Sequence, residues 1–291
     1  VSKNETLNRV TGLLIIEVRN SNPNGDPDNE GEPRQRQDGR GIISGVSFKR
    51  KLRDLVEQKD GPVWQSLSEE LKLKPKGFDI LESRGRKREE IKELNREQFQ
   101  TRYWDARVFG NTFLESIEDK KVKSEDVEHF IRTGVAQFAN ATSIAPVVIE
   151  RMTTTNKAGV QEGKDRGMAP LGYRVVRHGV YCMPFFINPT AAKRSGCQPN
   201  DIALLKRLIP YAYPHTASYA RPCVEIRHAW YVEHASPLGS CSDFAILDAL
   251  TPKKREKSTE PSSVWDEYDV PADISDDLKA RGLTCVDIIA G

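Results

Sequence analysis

The sequence predicts an α+β fold, and three observations carry the prediction. Val10 to Arg19, "VTGLLIIEVR", is apolar and β-branched over the length of a strand and runs into a turn cluster. "SGVSFKRKLRDLVEQ" then repeats apolar residues at helical spacing, with Phe48, Leu52, Leu55 and Val56 on one face. Further along, three more β-rich runs recur, and a second helical pattern separates the last two of them.

The elements follow in order. The first helix takes Ser44 or Ser47 as its cap. Residues 61–129 are mixed in charge and mainly helical in pattern, with "EEIKELNREQFQ" the clearest segment, and read as an insertion. "RTGVAQFANATSIAPVVIERMTTT" and "YRVVRHGVYCMPFFI" are β-rich and flank the polar, turn-rich "NKAGVQEGKDRG". This predicts a protruding hairpin whose tip has too little apolar content to order itself in a free subunit. Asn200 or Asp201 caps the helix "DIALLKRLIPYAY", Cys223 to His234 is another strand, and "TCVDII" is a final short one. Strand, helix, strand, strand, helix, strand is the ferredoxin-like order used by RNA-recognition modules.

At 291 residues the chain is long enough for a substantial core, read as a single elaborated domain. Lys and Arg total 44 against 42 acids, a net charge of +2, so nucleic-acid binding would need local segregation of charge rather than bulk basicity. The early apolar run "GLLIIEV" is too short to span a membrane, and the expected location is the cytoplasm. The five cysteines show neither C-x-x-C spacing nor a histidine at ligand spacing, so the expectation is reduced, mostly buried thiols with no metal and no cofactor. The five histidines lie in separate segments, and "GVQEGKD" lacks both the glycine spacing and the hydroxyl of a phosphate-cradling loop.

The loop "SNPNGDPDNEGEPRQRQDGRG" changes sign halfway. Its acidic half resembles the start of a calcium loop, with Asp26, Asp28 and Glu30 followed by Gly31, but the twelfth position is Gln37 rather than a bidentate glutamate. From Arg34 to Arg53 there are seven bases and one acid. Cations crowding a helix N-terminus oppose its dipole, an arrangement that costs stability unless an anion is present. Backbone amides at the helix entry and fixed cations could converge there on phosphates. The acidic half would then face water or the basic surface of another copy.

"NPNGDPD", "ISGVSFKRKLRD", "DARVFG", "RTGVAQFANATSIAPV", "FFINPTAAKRSG" and "DIALL" stand in this order over most of the chain. Together they resemble the Cas-seven backbone subunit, of the RAMP superfamily, of CRISPR Cascade complexes, and most of all its type I-C form. The resemblance implies an RNA-recognition-like palm (8–60, 130–150 and 174–291), a helical fingers insertion (61–129) and a β-hairpin thumb (151–173). It implies a non-catalytic subunit that polymerises along CRISPR RNA and presents the guide to a target DNA strand. Its partners would be other copies of itself, a guide-end-binding Cas-five type subunit, and the large and small subunits. Carried onto this sequence, Ser47, Lys49, Arg50 and Arg53 on the helix and Arg34, Arg36 and Arg40 in the loop would meet guide phosphates. Gln137 and Phe138 would contribute floor contacts, and Arg166 and Met168 thumb contacts, Met168 as an apolar wedge. Type III relatives cut RNA with an aspartate after the first strand, so the alternative is a metal-dependent endoribonuclease using Asp26, Asp28 or Asp38.

Overall fold

A computed structural model describes residues 7–84, 91, 94, 96–111, 132–157, 168–257 and 259–290. The main elements are β1 (Val10–Ser21), β2 (Arg40–Ile43), α1 (Gly45–Glu57), α2 (Pro62–Glu70), α3 (Arg96–Arg102) and α4 (Trp104–Phe109). They continue with β3 (Ala136–Phe138), β4 (Ala141–Pro146), β5 (Ile149–Lys157), β6 (Met168–Ile187), α5 (Pro199–Leu208), β7 (Val224–His234), α6 (Asp243–Leu250) and β8 (Leu283–Asp287).

One eight-stranded sheet runs β8-β7-β1-β6-β4-β2, with β3 and β5 also paired to β6. Within it β7-β1-β6-β4 is the ferredoxin-like order, fourth strand beside first and third beside second, and these pairs are antiparallel. β6 serves two partners in succession. Val176 faces Ser21 on one side and Ile149 on the other, and from there back to Met168 the strand pairs with β5, the described pairing ending at Met168 and Lys157. The predicted hairpin strands are therefore present, while the tip, Arg166 included, lies outside the described residues.

β1 is buried continuously from Val10 to Val18, which needs a layer on each face. Alternation supplies it: Leu14, Ile16 and Val18 join Phe48, Leu52, Leu205 and Leu208 from the two crossover helices. Leu13 and Ile15 point the other way, against Ile246, Leu247 and Leu250 of α6, Tyr268 and Leu283. The second face, open in a bare RNA-recognition module, is thus closed by the C-terminal quarter of the chain.

Ser44 is the cap of α1, its Oγ accepting from the Ser47 amide at 3.1 Å. Gly45 follows because a Cβ there would sit 2.3 Å from the Phe138 carbonyl oxygen. α5 differs from expectation. Its cap is Gln198, and Asp201 lies inside the first turn with its carboxylate accepting from the Gln198 amide at 2.8 Å. The cysteines differ too: all are free, but only Cys197 is buried and Cys223 is exposed. Cys223 follows a proline at the strand entry, where no apolar layer covers it.

The C-terminal cover is fastened by buried polar groups. Glu17 accepts from Arg19 (2.7 Å) and His178 Nε2 (3.3 Å) and forms an ion pair with Arg227 (3.3 Å). His178 Nδ1 accepts from the Ser262 hydroxyl at 2.8 Å, and the Tyr268 hydroxyl donates to Ser262 at 2.8 Å. At the other end of β1, His234 Nδ1 accepts from the Ser240 amide (3.0 Å) and Nε2 faces Thr11 Oγ1 (3.2 Å), which donates to Asp243. Burial lowers the pKa of both histidines and keeps them neutral. A depressed folded pKa contributes stability above the unfolded value of about 6.5 that is lost as pH falls. Urea unfolding at pH 7 and pH 5 should show lower stability at pH 5, and His178→Gln should remove part of that slope.

Candidate nucleic-acid interface

The basic helix α1 borders a cleft of about 350 Å³ lined by Val46, Lys49, Arg53, Glu82, Phe109, Gly110, Asn111, Thr133, Gly134 and Gln137. Gly134 makes the cleft possible: a Cβ there would lie 2.1 Å from the Phe109 carbonyl carbon, so only glycine lets the 132–138 segment approach the end of α4. The short pairing of Gly110–Asn111 with Arg132–Thr133 follows from that approach.

The cations on α1 have separate environments. Arg53 is inside, with its Nε 2.9 Å from Asp105 Oδ2 and Nη1 3.1 Å from Glu82, and its guanidinium 5.2 Å from the Phe109 ring centroid. Asp105 in turn accepts from the Leu81 amide (2.6 Å) and the Glu82 amide (3.1 Å). Arg50 bonds to the Glu82 carbonyl and lies 3.4 Å from Asp54. Lys51 is buried, bonding to Thr216 Oγ1 at 3.0 Å over the Tyr213 ring, and burial pushes its pKa down to about 8. Lys49 faces the cleft with its ammonium 5.8 Å from the Phe109 centroid. Burial first, then the Arg53 charge, lowers its pKa, while Glu82 opposes the shift. Glu82 already pairs with Arg53, so Lys49 is the cleft cation that no carboxylate neutralises directly among the described residues.

The helix entry contributes less than the sequence suggests. Three of its first amides are spent internally, Gly45 on Asn140 Oδ1, Ser47 on Ser44 Oγ and Phe48 on the Ser44 carbonyl, so attraction of an anion rests chiefly on side chains. The loop's change of sign is resolved largely within the loop. Arg34 pairs with Asp26 at 3.2 Å, and Arg36 and Arg40 both lie 3.9 Å from Asp38. Asp26 therefore faces its own arginine and Glu32 pairs with Arg174, while Asp28 and Glu30 stay exposed to water. Pairs this exposed contribute about 0–1 kcal/mol each, so Arg36 and Arg40 can exchange Asp38 for another anion.

Lys49, Arg53 and Gln137 are brought together in the cleft, and Gln137 Nε2 donates to the Gly134 carbonyl at 3.1 Å. Ser47 is half-buried on the same helix. Phe138 is turned inward, 8% exposed and stacked on Phe185 with centroids 5.3 Å apart, which makes it a core residue rather than a floor contact. Of Met168 only the backbone pairing with Lys157 is described. Sequence reasoning missed Asn111, whose buried Oδ1 has no partner among the described residues, along with Glu82 and Phe109. "DARVFGN" is the signal that holds two of these three, since it ends at the cleft wall. Among the described residues no three His, Cys, Asp or Glu side chains gather as metal ligands, so Asp26, Asp28 and Asp38 do not form one cluster.

Fold and cleft together define a ferredoxin-like α+β protein with a basic groove beside its first crossover helix. The chain belongs to the family described as CRISPR-associated protein Cas7, whose model matches residues 8–273. No curated protein matches the sequence. Among solved structures, a chain of a CRISPR RNA-guided surveillance complex is similar at 17% identity and a TM-score of 0.43, over 77% of this chain and 68% of that one. A chain of a pre-nicking CRISPR RNA-guided surveillance complex has 13% identity and a TM-score of 0.46, over 77% and 78%. A chain of a Type III-B Cmr-beta complex bound to cognate target RNA has 12% identity and a TM-score of 0.41, over 78% and 62%.

Removing one member of a buried, hydrogen-bonded ion pair leaves an uncompensated charge and costs about 3–5 kcal/mol. Asp105→Ala should lower unfolding stability by that order, because it leaves the buried Arg53 guanidinium with only the half-exposed Glu82 and strands two backbone amides. Arg36→Ala, in an exposed pair, should change stability by less than about 1 kcal/mol in the same denaturant titration.

Proposed function

We propose that this chain is a non-catalytic backbone subunit of the type I-C kind, which binds CRISPR RNA through the cleft beside α1 and holds it for pairing with a target DNA strand. The observation that carries the reading is Lys49, a partly desolvated cation held in an open cleft without a direct carboxylate partner among the described residues, in a chain of the Cas7 family. Guide phosphates are the natural occupants of such a site, and Arg36 and Arg40 extend the positive rim. Arg53 acts from behind, keeping Glu82 neutralised so that the cleft stays attractive to an anion.

In this reading the sheet and its crossover helices are the palm, the 61–129 segment the fingers and the β5–β6 hairpin the thumb, with Arg166 and Met168 toward its tip. Copies of the subunit follow one another along the guide, joined by the Cas-five type, large and small subunits. Asp26 and Asp38 are held against arginines, which favours a structural role for the loop over cleavage.

Lys49→Ala should weaken RNA binding about equally for all sequences and reduce the slope of log K against log salt by roughly one unit in filter binding. Loss for one sequence only, at unchanged slope, would refute phosphate contact. The assembled complex with magnesium or manganese should leave complementary RNA and DNA intact. Cleavage abolished by Asp26→Ala, Asp28→Ala or Asp38→Ala would establish the endoribonuclease reading instead.

A further inference from the structure

The large sheet has two edges, and the chain treats them differently. At one edge β2 is covered by the loop before it: the Ile42 amide donates to the Arg34 carbonyl and the Arg36 amide to the Arg40 carbonyl, both at 2.8 Å. At the other edge stands β8. Its register against β7 places Asp287 opposite Trp230, and the Ile288 amide donates to the Ala229 carbonyl as the Ala235 amide does to the Gly282 carbonyl, both at 2.9 Å. Bonded residues alternate along an antiparallel ladder, so Gly282, Thr284, Val286 and Ile288 bond toward β7, and the N–H and C=O groups of Leu283, Cys285 and Asp287 point away from the sheet. Among the described residues no protein group bonds to them.

Proteins commonly guard such an edge with a lysine, a proline or a bulge. β8 has none of these, since Leu283–Asp287 reads LTCVD and its register runs without a shift. Thr284 and Val286 are β-branched and exposed, so a neighbouring strand can also pack on this flank. The surroundings carry one sign. From Trp265 to Asp287 there are seven acids against two bases, in a chain whose net charge is +2. Asp273 hydrogen-bonds with the Cys285 thiol of the edge itself, and Asp276 and Asp277 are exposed in the helical turn just before it.

We infer that β8 is a docking edge to which a protein partner adds an extended, basic segment as a further strand. Main-chain bonds to Leu283, Cys285 and Asp287 hold the segment, and its lysines or arginines meet Asp276 and Asp277. Charge selects the partner. The same acids repel phosphate, which keeps nucleic acid off this edge, and two copies paired through β8 about a two-fold axis would bring those acids face to face. The inference is separate from guide binding, because β8 shares no residue with the cleft beside α1.

The test uses the purified full chain with two synthetic peptides, one alternating Lys and Val and one alternating Lys and Gly, read by fluorescence anisotropy and by residue-resolved hydrogen exchange. The Lys-Val peptide should bind more tightly and slow exchange at Leu283, Cys285 and Asp287. It should leave Thr284 and Val286 unchanged, because their amides are already bonded to β7. Cys285→Pro removes one outward donor and should weaken binding about 2–10-fold, the effect of one hydrogen bond. Val286→Lys, at an exposed side chain, should weaken binding in the same direction and decides the matter where the proline variant fails to fold. Asp276→Lys combined with Asp277→Lys should weaken binding at low salt and have little effect at high salt. Equal binding of the two peptides, or unchanged exchange at the three amides, overturns the docking edge and leaves guide binding untouched. Protection of these amides in the peptide-free chain that grows with protein concentration makes the occupant a second copy and overturns the partner assigned here.

Discussion

The arrangement of the molecule depends on two buried ion pairs made by one short helix. α4 carries Asp105 and Arg107, and residues two apart on a helix point about 200° away from each other. Asp105 therefore reaches Arg53 on α1, while Arg107 reaches Asp201 at the start of α5. Such pairs are tolerated inside a protein only when further hydrogen bonds satisfy the charges. Both are satisfied: Arg107 uses five donor contacts, two on Asp201 and one each on the carbonyls of Gln100, Thr101 and Gly77. The short helix α4 is thereby locked to both crossover helices, and its end becomes a wall of the cleft.

A consequence is that the strongest bases on α1 are not equivalent. A helix presents neighbouring side chains in different directions, so a run such as Lys49-Arg50-Lys51 distributes its charge among cleft, surface and interior. Lys51 is consumed by Tyr213 and Thr216, Arg50 by the Glu82 carbonyl and Asp54, and Arg53 by Asp105. What remains among the described residues is one partly desolvated ammonium, that of Lys49 beside the Phe109 ring. Burial makes that site weakly basic and hungry for an anion at once, since an arriving phosphate would restore the solvation that the lysine has lost.

The sheet explains where a ligand has room. Both faces of β1 are filled, one by α1 and α5 and the other by α6 and the segment around Tyr268. An open-faced RNA-recognition sheet binds bases on its strands; here that surface is core, and the grooves among the described residues include one beside α1 and one at the hairpin root. The His178–Ser262–Tyr268 chain keeps the cover in register, using hydrogen bonds instead of additional apolar area.

Local chemistry was sufficient for much of this. The period of Phe48, Leu52, Leu55 and Val56 marked α1, the β-branched run marked β1, and their succession marked the ferredoxin-like order, because hydrophobic periodicity is written in neighbouring residues. The density of cations near Lys49 was equally legible. Which cation stays free was not, since that depends on Asp105, Glu82 and Thr216, which are distant in sequence and meet α1 only after folding. The inward turn of Phe138 and the pairing of the loop arginines with Asp26 and Asp38 were likewise decided by tertiary contacts. Periodicity is a property of the chain alone, whereas the charge a side chain presents depends on every partner that packing brings within reach.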